Sequence, residues 1–185
     1  MQISEEDLVR RAQQNDQRAF AELYEAYFDK IYRYIVLKIG DRTDAEDMTQ
    51  QVFLKALKSI SSFKWKGTPF SAWLYRIAHN QVVDHLRKKT TRQTDLLNEE
   101  LPLASDSPFD NPQKLTEHSL NMEQLMASTR KLTEAQREVI SLRFTSDLPT
   151  AQVAKIMGKS EGAIKALQHA AITALRKTLV MEAIE

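Results

Sequence analysis

Apolar positions along the chain recur at helical spacing. Val153, Ile156 and Met157 fall on one side of a short predicted helix, and Ile164, Leu167, Ala171 and Leu175 on one side of a second. Leu74 and Ile77 read as the core-facing side of a further helix. No convincing period-two strand pattern occurs. Polar punctuation agrees. Ser4 with Asp7, and Asp44 with Asp47, are helix N-cap patterns, and Thr133 with Gln136 is a capping box. Thr68 before Pro69 is a cap followed by proline at the first helical position. Gly40 is placed to end a helix, Gly67 lies in a loop, and Gly158 falls between the two C-terminal helices. The expected fold class is all-α.

The stretch from Thr150 to His169, TAQVAKIMGKSEGAIKALQH, has the pattern of a helix-turn-helix. Thr150 can cap the first helix after Pro149, and Ala154 is small where two helices cross closely. Gly158 supplies a left-handed turn residue, and Ser160 can cap the second helix. With Ile164, Leu167, Ala171 and Leu175 inward, the second helix turns Gly162, Lys165, Ala166, His169 and Thr173 outward. Gly162 would let backbone approach a phosphate. Lys165 can donate to guanine or to phosphate, and His169 can donate or stack. The plain alternative is a helical hairpin inside a bundle.

Composition adds limits. The 185 residues carry a net charge of only +1, so the chain is not a bulk polycation. The absence of cysteine excludes disulfides and thiolate metal sites and makes the cytoplasm the expected location. The acidic N-terminus, MQISEEDLVRR, is not a signal-peptide pattern, and no run approaches the ~20 apolar residues of a membrane span. Charge is uneven. Residues 1–89 carry 15 basic and 12 acidic side chains, residues 90–130 carry 3 and 7, and residues 131–185 carry 8 and 6. The middle segment also holds Pro102, Pro108 and Pro112. Two helical domains, 1–90 and 118–185, are therefore expected, joined by a flexible acidic linker over 91–117.

Residues 63–89, FKWKGTPFSAWLYRIAHNQVVDHLRKK, interleave aromatic and basic side chains. Aromatic faces can stack on unpaired bases while cations hold phosphates. Trp65 sits between two lysines with no helical period to explain it. The acidic run Asp41, Asp44, Glu46, Asp47 is explained by capping and the helix dipole rather than by a metal. His79 and His85 are six apart, about 240° around a helix, so they cannot share an ion. No metal, cofactor, phosphate-binding glycine loop or nucleophile–base pair is expected, and the chain does not read as an enzyme.

Three of these stretches, in this order, resemble the bacterial RNA polymerase sigma factors of the extracytoplasmic-function (ECF) group, within the sigma-70 family. They are DAEDMTQQVFLKALKSI (Asp44–Ile60), FSAWLYRIAHNQVVDHLRKK (Phe70–Lys89), and LTEAQREVISLRF (Leu132–Phe144) with the helix-turn-helix after it. The resemblance implies sigma domain two over 1–90 and sigma domain four over 118–185.

What the resemblance implies can be written residue by residue. The helix from Asp44 would grip the clamp helices of the polymerase beta-prime subunit. Asp47, Gln50 and Gln51 would give it polar specificity, and Phe53 and Leu54 apolar area, although Phe53 can equally pack inside the domain. The loop before Phe70 and the helix after it would open the minus-ten element. The loop Phe63 to Thr68, with Phe63, Lys64, Trp65 and Lys66 foremost, would form a pocket for a flipped base with Asn80, while Arg76, Arg87, Lys88 and Lys89 would hold phosphates. The second helix of the helix-turn-helix would read the minus-thirty-five element through Ser160, Gly162, Lys165, Ala166, His169 and Thr173. Ala170 and Ala171 stand where the family often has arginine then alanine, so one contact is missing. The implied partners are core polymerase, through beta-prime clamp helices and beta flap, promoter DNA, and an anti-sigma factor. The linker is either a passive tether or an acidic strand in the polymerase channel.

Overall fold

Asp16 shows how local chemistry starts the first long helix. Asn15 adopts a left-handed conformation at φ 66°, which breaks the chain direction. The Asp16 carboxylate then accepts from the Arg18 and Ala19 backbone N–H groups and pairs with Arg11 at 2.7 Å. In this computed structural model, which describes residues 4–97 and 117–182, that corner joins α1 (Glu5–Gln13) to α2 (Gln17–Ile39). Gly40, left-handed at φ 73°, ends α2, and α3 (Arg42–Ser59) follows at once. A 3-10 turn at Ile60–Ser62 leads through a loop to α4 (Phe70–Leu97). Then come α5 (Glu117–Thr129), α6 (Glu134–Thr145), α7 (Thr150–Met157) and α8 (Glu161–Glu182). Among the described residues there is no strand.

Three of the six expected helix N-caps form as expected. Ser4 accepts from the Asp7 N–H, the Thr133–Gln136 capping box is complete, and Ser160 accepts from the Ala163 N–H at 3.1 Å. Three boundaries differ. Asp41, not Asp44, caps α3, because its carboxylate reaches the Asp44 N–H at 2.8 Å. Pro149 occupies the cap position of α7, so Thr150 is the first helical residue. Helix α4 begins at Phe70, one residue later than expected, and the Pro69 carbonyl accepts from the Trp73 N–H.

Helices α1 to α4 pack around Val9, Leu23, Ile31, Ile35, Val52, Phe70 and Leu74, all at most 1% exposed. Helices α6 to α8 contribute Val139, Leu142, Val153 and Ile164, also fully buried. The two sets form one continuous cluster rather than two separate cores. Helix α2 is the shared wall. Its five consecutive residues Tyr34, Ile35, Val36, Leu37 and Lys38 are all buried, so that stretch is covered on every side. Helices α1, α3, α4 and α6 all pack against α2. The N-terminal and C-terminal halves, expected as tethered domains, are therefore packed together. The Tyr75 hydroxyl donates to the Thr145 carbonyl at 2.7 Å, and the Gln152 amide donates to the Gly67 carbonyl at 3.2 Å. The expected linker lies mostly outside the described residues, although α4 continues to Leu97.

Candidate nucleic-acid and protein interfaces

Asp47, Gln50, Gln51 and Leu54 are all exposed on α3. Their spacing, i, i+3, i+4 and i+7, makes them one stripe on one face. Leu57 extends the stripe by a further three residues and is 48% exposed, with Leu54 at 56%. The next turn of the same periodicity would have pointed to Leu57. Phe53 departs from its expected role. Its ring lies on the opposite side, edge-on to Tyr24 at 4.8 Å and stacked on Phe28 at 6.2 Å, and it is buried. It holds α3 on α2 and presents no surface outward.

The loop between the 3-10 turn and α4 is built on an aromatic cluster. Phe63 is buried, with ring centroids 5.2 Å from Trp65, 5.8 Å from Phe70 and 5.3 Å from Trp73. Its ring is the base of the loop, and no face of it is free for stacking here. Trp65 is half-buried against it, while Lys64 and Lys66 are exposed on either side. Gln13 fixes the loop from α1 by donating to the Ile60 and Phe63 carbonyls at 3.0 and 2.9 Å. Nothing local in the sequence marks Gln13, which lies about fifty residues away from its partners. Gly67, at φ 66°, makes a tight turn in which its N–H meets the Trp65 carbonyl.

Helix α4 turns Arg76 and Asn80 outward one turn apart, and Arg87, Lys88 and Lys89 are exposed farther along. Arg87 is loosely paired with Asp84 at 3.3 Å in solvent. Tyr75 is fully buried, and Trp73 is half-buried in the aromatic cluster. The two histidines point to different partners. His79 lies 3.0 Å from Glu138 of α6, and His85 lies 3.7 Å from Asp44 of α3. Among the described residues no group of three or more His, Asp or Glu side chains converges as a metal would require.

The helix-turn-helix has the expected internal geometry. Gly158 is left-handed at φ 63°, and its N–H and that of Lys159 both close on the Ala154 carbonyl. Val153, Ala154, Ile156 and Ile164 are buried, and Leu167 is half-buried. Ala171 and Ile140 form a second small cluster with Leu132, against which Ala174 and Leu175 pack. The outward side of α8 presents Gly162, Lys165, Ala166, His169 and Thr173, all exposed, with Ser160 exposed just before the helix. A side chain at Gly162 would meet nothing within 4 Å, so the backbone there is open to approach. The Thr173 hydroxyl donates to the His169 carbonyl at 2.9 Å, which leaves its oxygen free to accept.

A buried polar cluster lies where α2, α4 and α6 meet. Glu138 pairs with Lys38 at 2.6 Å, accepts from the Tyr34 hydroxyl at 2.6 Å and lies 3.0 Å from His79 Nδ1. The Lys38 and Glu138 side chains are 3% and 7% exposed. Burial alone would push the Glu138 carboxyl up. The hydrogen bond with His79 and the charge of Lys38 outweigh it and hold the group down at about 2. Burial, then the adjacent Glu138 charge, pushes the Tyr34 hydroxyl well above its ordinary range.

Two known families match the sequence. The sigma-70 region 2 family matches residues 23–92, and the sigma-70 region 4 family matches residues 130–177. The ECF RNA polymerase sigma factor BldN of Streptomyces coelicolor is 39% identical over 173 residues. That match covers 94% of this chain but only 65% of BldN. The ECF RNA polymerase sigma factor SigW of Bacillus subtilis is 30% identical over 179 residues, covering 92% of this chain and 94% of SigW. Two solved structures share the fold. The sigma factor RpoE from Bartonella quintana, in complex with the anti-sigma factor NepR, superposes with a TM-score of 0.69 at 22% identity, covering 86% of this chain and 96% of its own. CnrH, in complex with the cytosolic domain of CnrY, gives 0.68 at 23% identity, covering 94% and 96%. The chain belongs to the sigma-70 family of RNA polymerase sigma factors, in its ECF group.

Proposed function

We propose that this chain joins core RNA polymerase and directs it to promoters through three surfaces. The exposed stripe Asp47, Gln50, Gln51, Leu54 and Leu57 docks α3 on the beta-prime clamp helices. The α4 surface carrying Arg76, Asn80, Arg87 and Lys88, with Lys64, Trp65 and Lys66 of the preceding loop, holds the opened minus-ten strand. Phe63 serves this surface from beneath, as the support for Trp65. Helix α8 enters the major groove of the minus-thirty-five element, with Lys165 and His169 foremost and Ser160, Gly162, Ala166 and Thr173 around them. The observation that carries this reading is one chain holding both a capped helix-turn-helix with an outward Lys165–His169 face and an unpaired polar–apolar stripe on α3.

Residues 1–90 form the polymerase-binding and melting domain, 118–185 the duplex-reading domain, and the acidic segment between them the linker. Domain four also meets the beta flap. The chain lends recognition to the polymerase and catalyses nothing itself. Its place of action is the cytoplasm, and no helix among the described residues is long and apolar enough to cross a membrane. An anti-sigma factor is the expected inhibitor, since the fold neighbours RpoE and CnrH were each solved bound to a second protein.

The docking surface is tested by Asp47→Arg combined with Gln50→Ala. Both residues are exposed, so the fold should survive while association with core polymerase is lost. A pull-down with unchanged affinity, alongside an unchanged circular dichroism spectrum, would remove α3 from the interface.

A further inference from the structure

Lys38 belongs to the N-terminal half and Glu138 to the C-terminal half, and both side chains are buried where the halves meet, each paired with the other. The pair therefore spans the boundary between the halves. An ion pair of this kind loses both charges' hydration on closing, and recovers it only through geometry. Here the geometry is complete. The Glu138 carboxylate has Lys38 on one oxygen, and Tyr34 and His79 on the other. Around the cluster, α2 is apolar from Tyr34 to Leu37, and α6 covers it with Val139 and Leu142.

Closure has a consequence for DNA, given the promoter reading above. The centres of elements at minus ten and minus thirty-five are about 25 base pairs apart, or about 85 Å of straight duplex at 3.4 Å per base pair. A packed 185-residue body is about 40 Å across. In the closed arrangement the α4 surface and the α8 surface cannot both sit on their elements. The first helix of the helix-turn-helix also holds the minus-ten loop directly, through Gln152 and the Gly67 carbonyl.

We infer that Lys38, Glu138, His79 and Tyr34 form an intramolecular latch that keeps the free chain closed, with its two DNA surfaces too near each other for a promoter. No second protein is needed for this closure, because the chain covers its own apolar α2 wall. Opening rehydrates Lys38 and Glu138 and leaves each half folded. Losing one member of the pair leaves the other charge buried and unpaired, which weighs only against the closed form. Losing both charges to apolar side chains of similar size removes that penalty.

The test uses the free full-length chain. It has no native cysteine, so dyes can be placed on Glu22→Cys and Arg176→Cys, both exposed positions on opposite halves. Energy transfer between them reports closure without polymerase or DNA, so it fails or succeeds separately from the promoter reading. Glu138→Ala and Lys38→Ala are each expected to shift the closed–open balance toward open by about a hundredfold or more. The pair Lys38→Met with Glu138→Leu is expected to return the transfer efficiency to that of the parent. Unchanged efficiency in both single variants would overturn the latch. So would loss of the helical circular dichroism signal in either one, since that would make the pair a support of one half's fold instead of a hold between halves.

Discussion

Phe53 and Leu54 are neighbours in sequence with opposite fates. Phe53 is packed between Tyr24 and Phe28, whereas Leu54 is more than half exposed. Phe53→Ala is expected to destabilise the chain by about 3–5 kcal/mol, through lost burial and the cavity left behind. Leu54→Ala is expected to change stability by less than about 0.5 kcal/mol, as exposed substitutions usually do, and to weaken core polymerase binding. Thermal denaturation of both variants, with a polymerase pull-down, separates the two roles. Equal destabilisation would mean that Leu54 is not on the outer face. The loop before α4, with Asn80 of α4, allows a similar test of the proposed minus-ten contacts. Trp65→Ala or Asn80→Ala is expected to lower permanganate reactivity of promoter thymines more than closed-complex formation, because stacking and base-edge contacts exist only after bases unstack. An equal fall in both steps would make these residues structural.

At the scale of the element, α8 is where sequence and geometry correspond most closely. Its inward residues, its cap and its left-handed turn residue are all set by local chemistry, and local chemistry is what a sequence displays. Lys165→Ala on its outward face is expected to cost about 1–3 kcal/mol and relax preference at one minus-thirty-five position if the amine reads a base. If it holds a phosphate, binding weakens on every sequence and the salt slope falls by about one. Titration of holoenzyme against a promoter library at two salt concentrations distinguishes them, and no change at all would remove this helix from the groove. Less was legible in α3 and the loop. The resemblance pointed to the stripe through Leu54 and counted Phe53 with it, but the burial of Phe53 and Phe63 depends on α2 and on Gln13 of α1, which are distant in sequence. Helix caps were shifted by up to three residues, because Asp41 and Asp44 both carry capping chemistry and only the chain's path chooses between them.

At the scale of the whole molecule, the joining of the two halves was not legible as a motif. Its trace is the unbroken apolar run Tyr34–Leu37 ending in Lys38, which suits a helix buried on all sides rather than one at a surface. The Glu138 carboxyl adds a pH signature. In an open chain, exposed to water, it would titrate near its ordinary 4.5, and in the closed chain it is held at about 2. A depressed carboxylate stabilises closure fully above about pH 4.5, and that contribution is lost as pH falls toward 2. It amounts to something on the order of 3 kcal/mol. The groups facing it are Tyr34 and Lys38 on α2 and His79 on α4. Acid opening across that window is therefore expected in the energy-transfer measurement, and Glu138→Gln is expected to remove Glu138's share of it. An unaltered acid transition in Glu138→Gln would assign the opening to other carboxylates.

The central assignment, a factor that confers promoter choice on a polymerase, is tested most directly by run-off transcription. Core RNA polymerase is given a library of promoter-like templates with and without the full chain. With it, discrete transcripts are expected from a subset of templates that share paired elements near minus ten and minus thirty-five. The Asp47→Arg, Gln50→Ala variant is expected to yield none of them. Transcript patterns identical with and without the chain, under conditions where the chain binds core polymerase, would contradict the assignment.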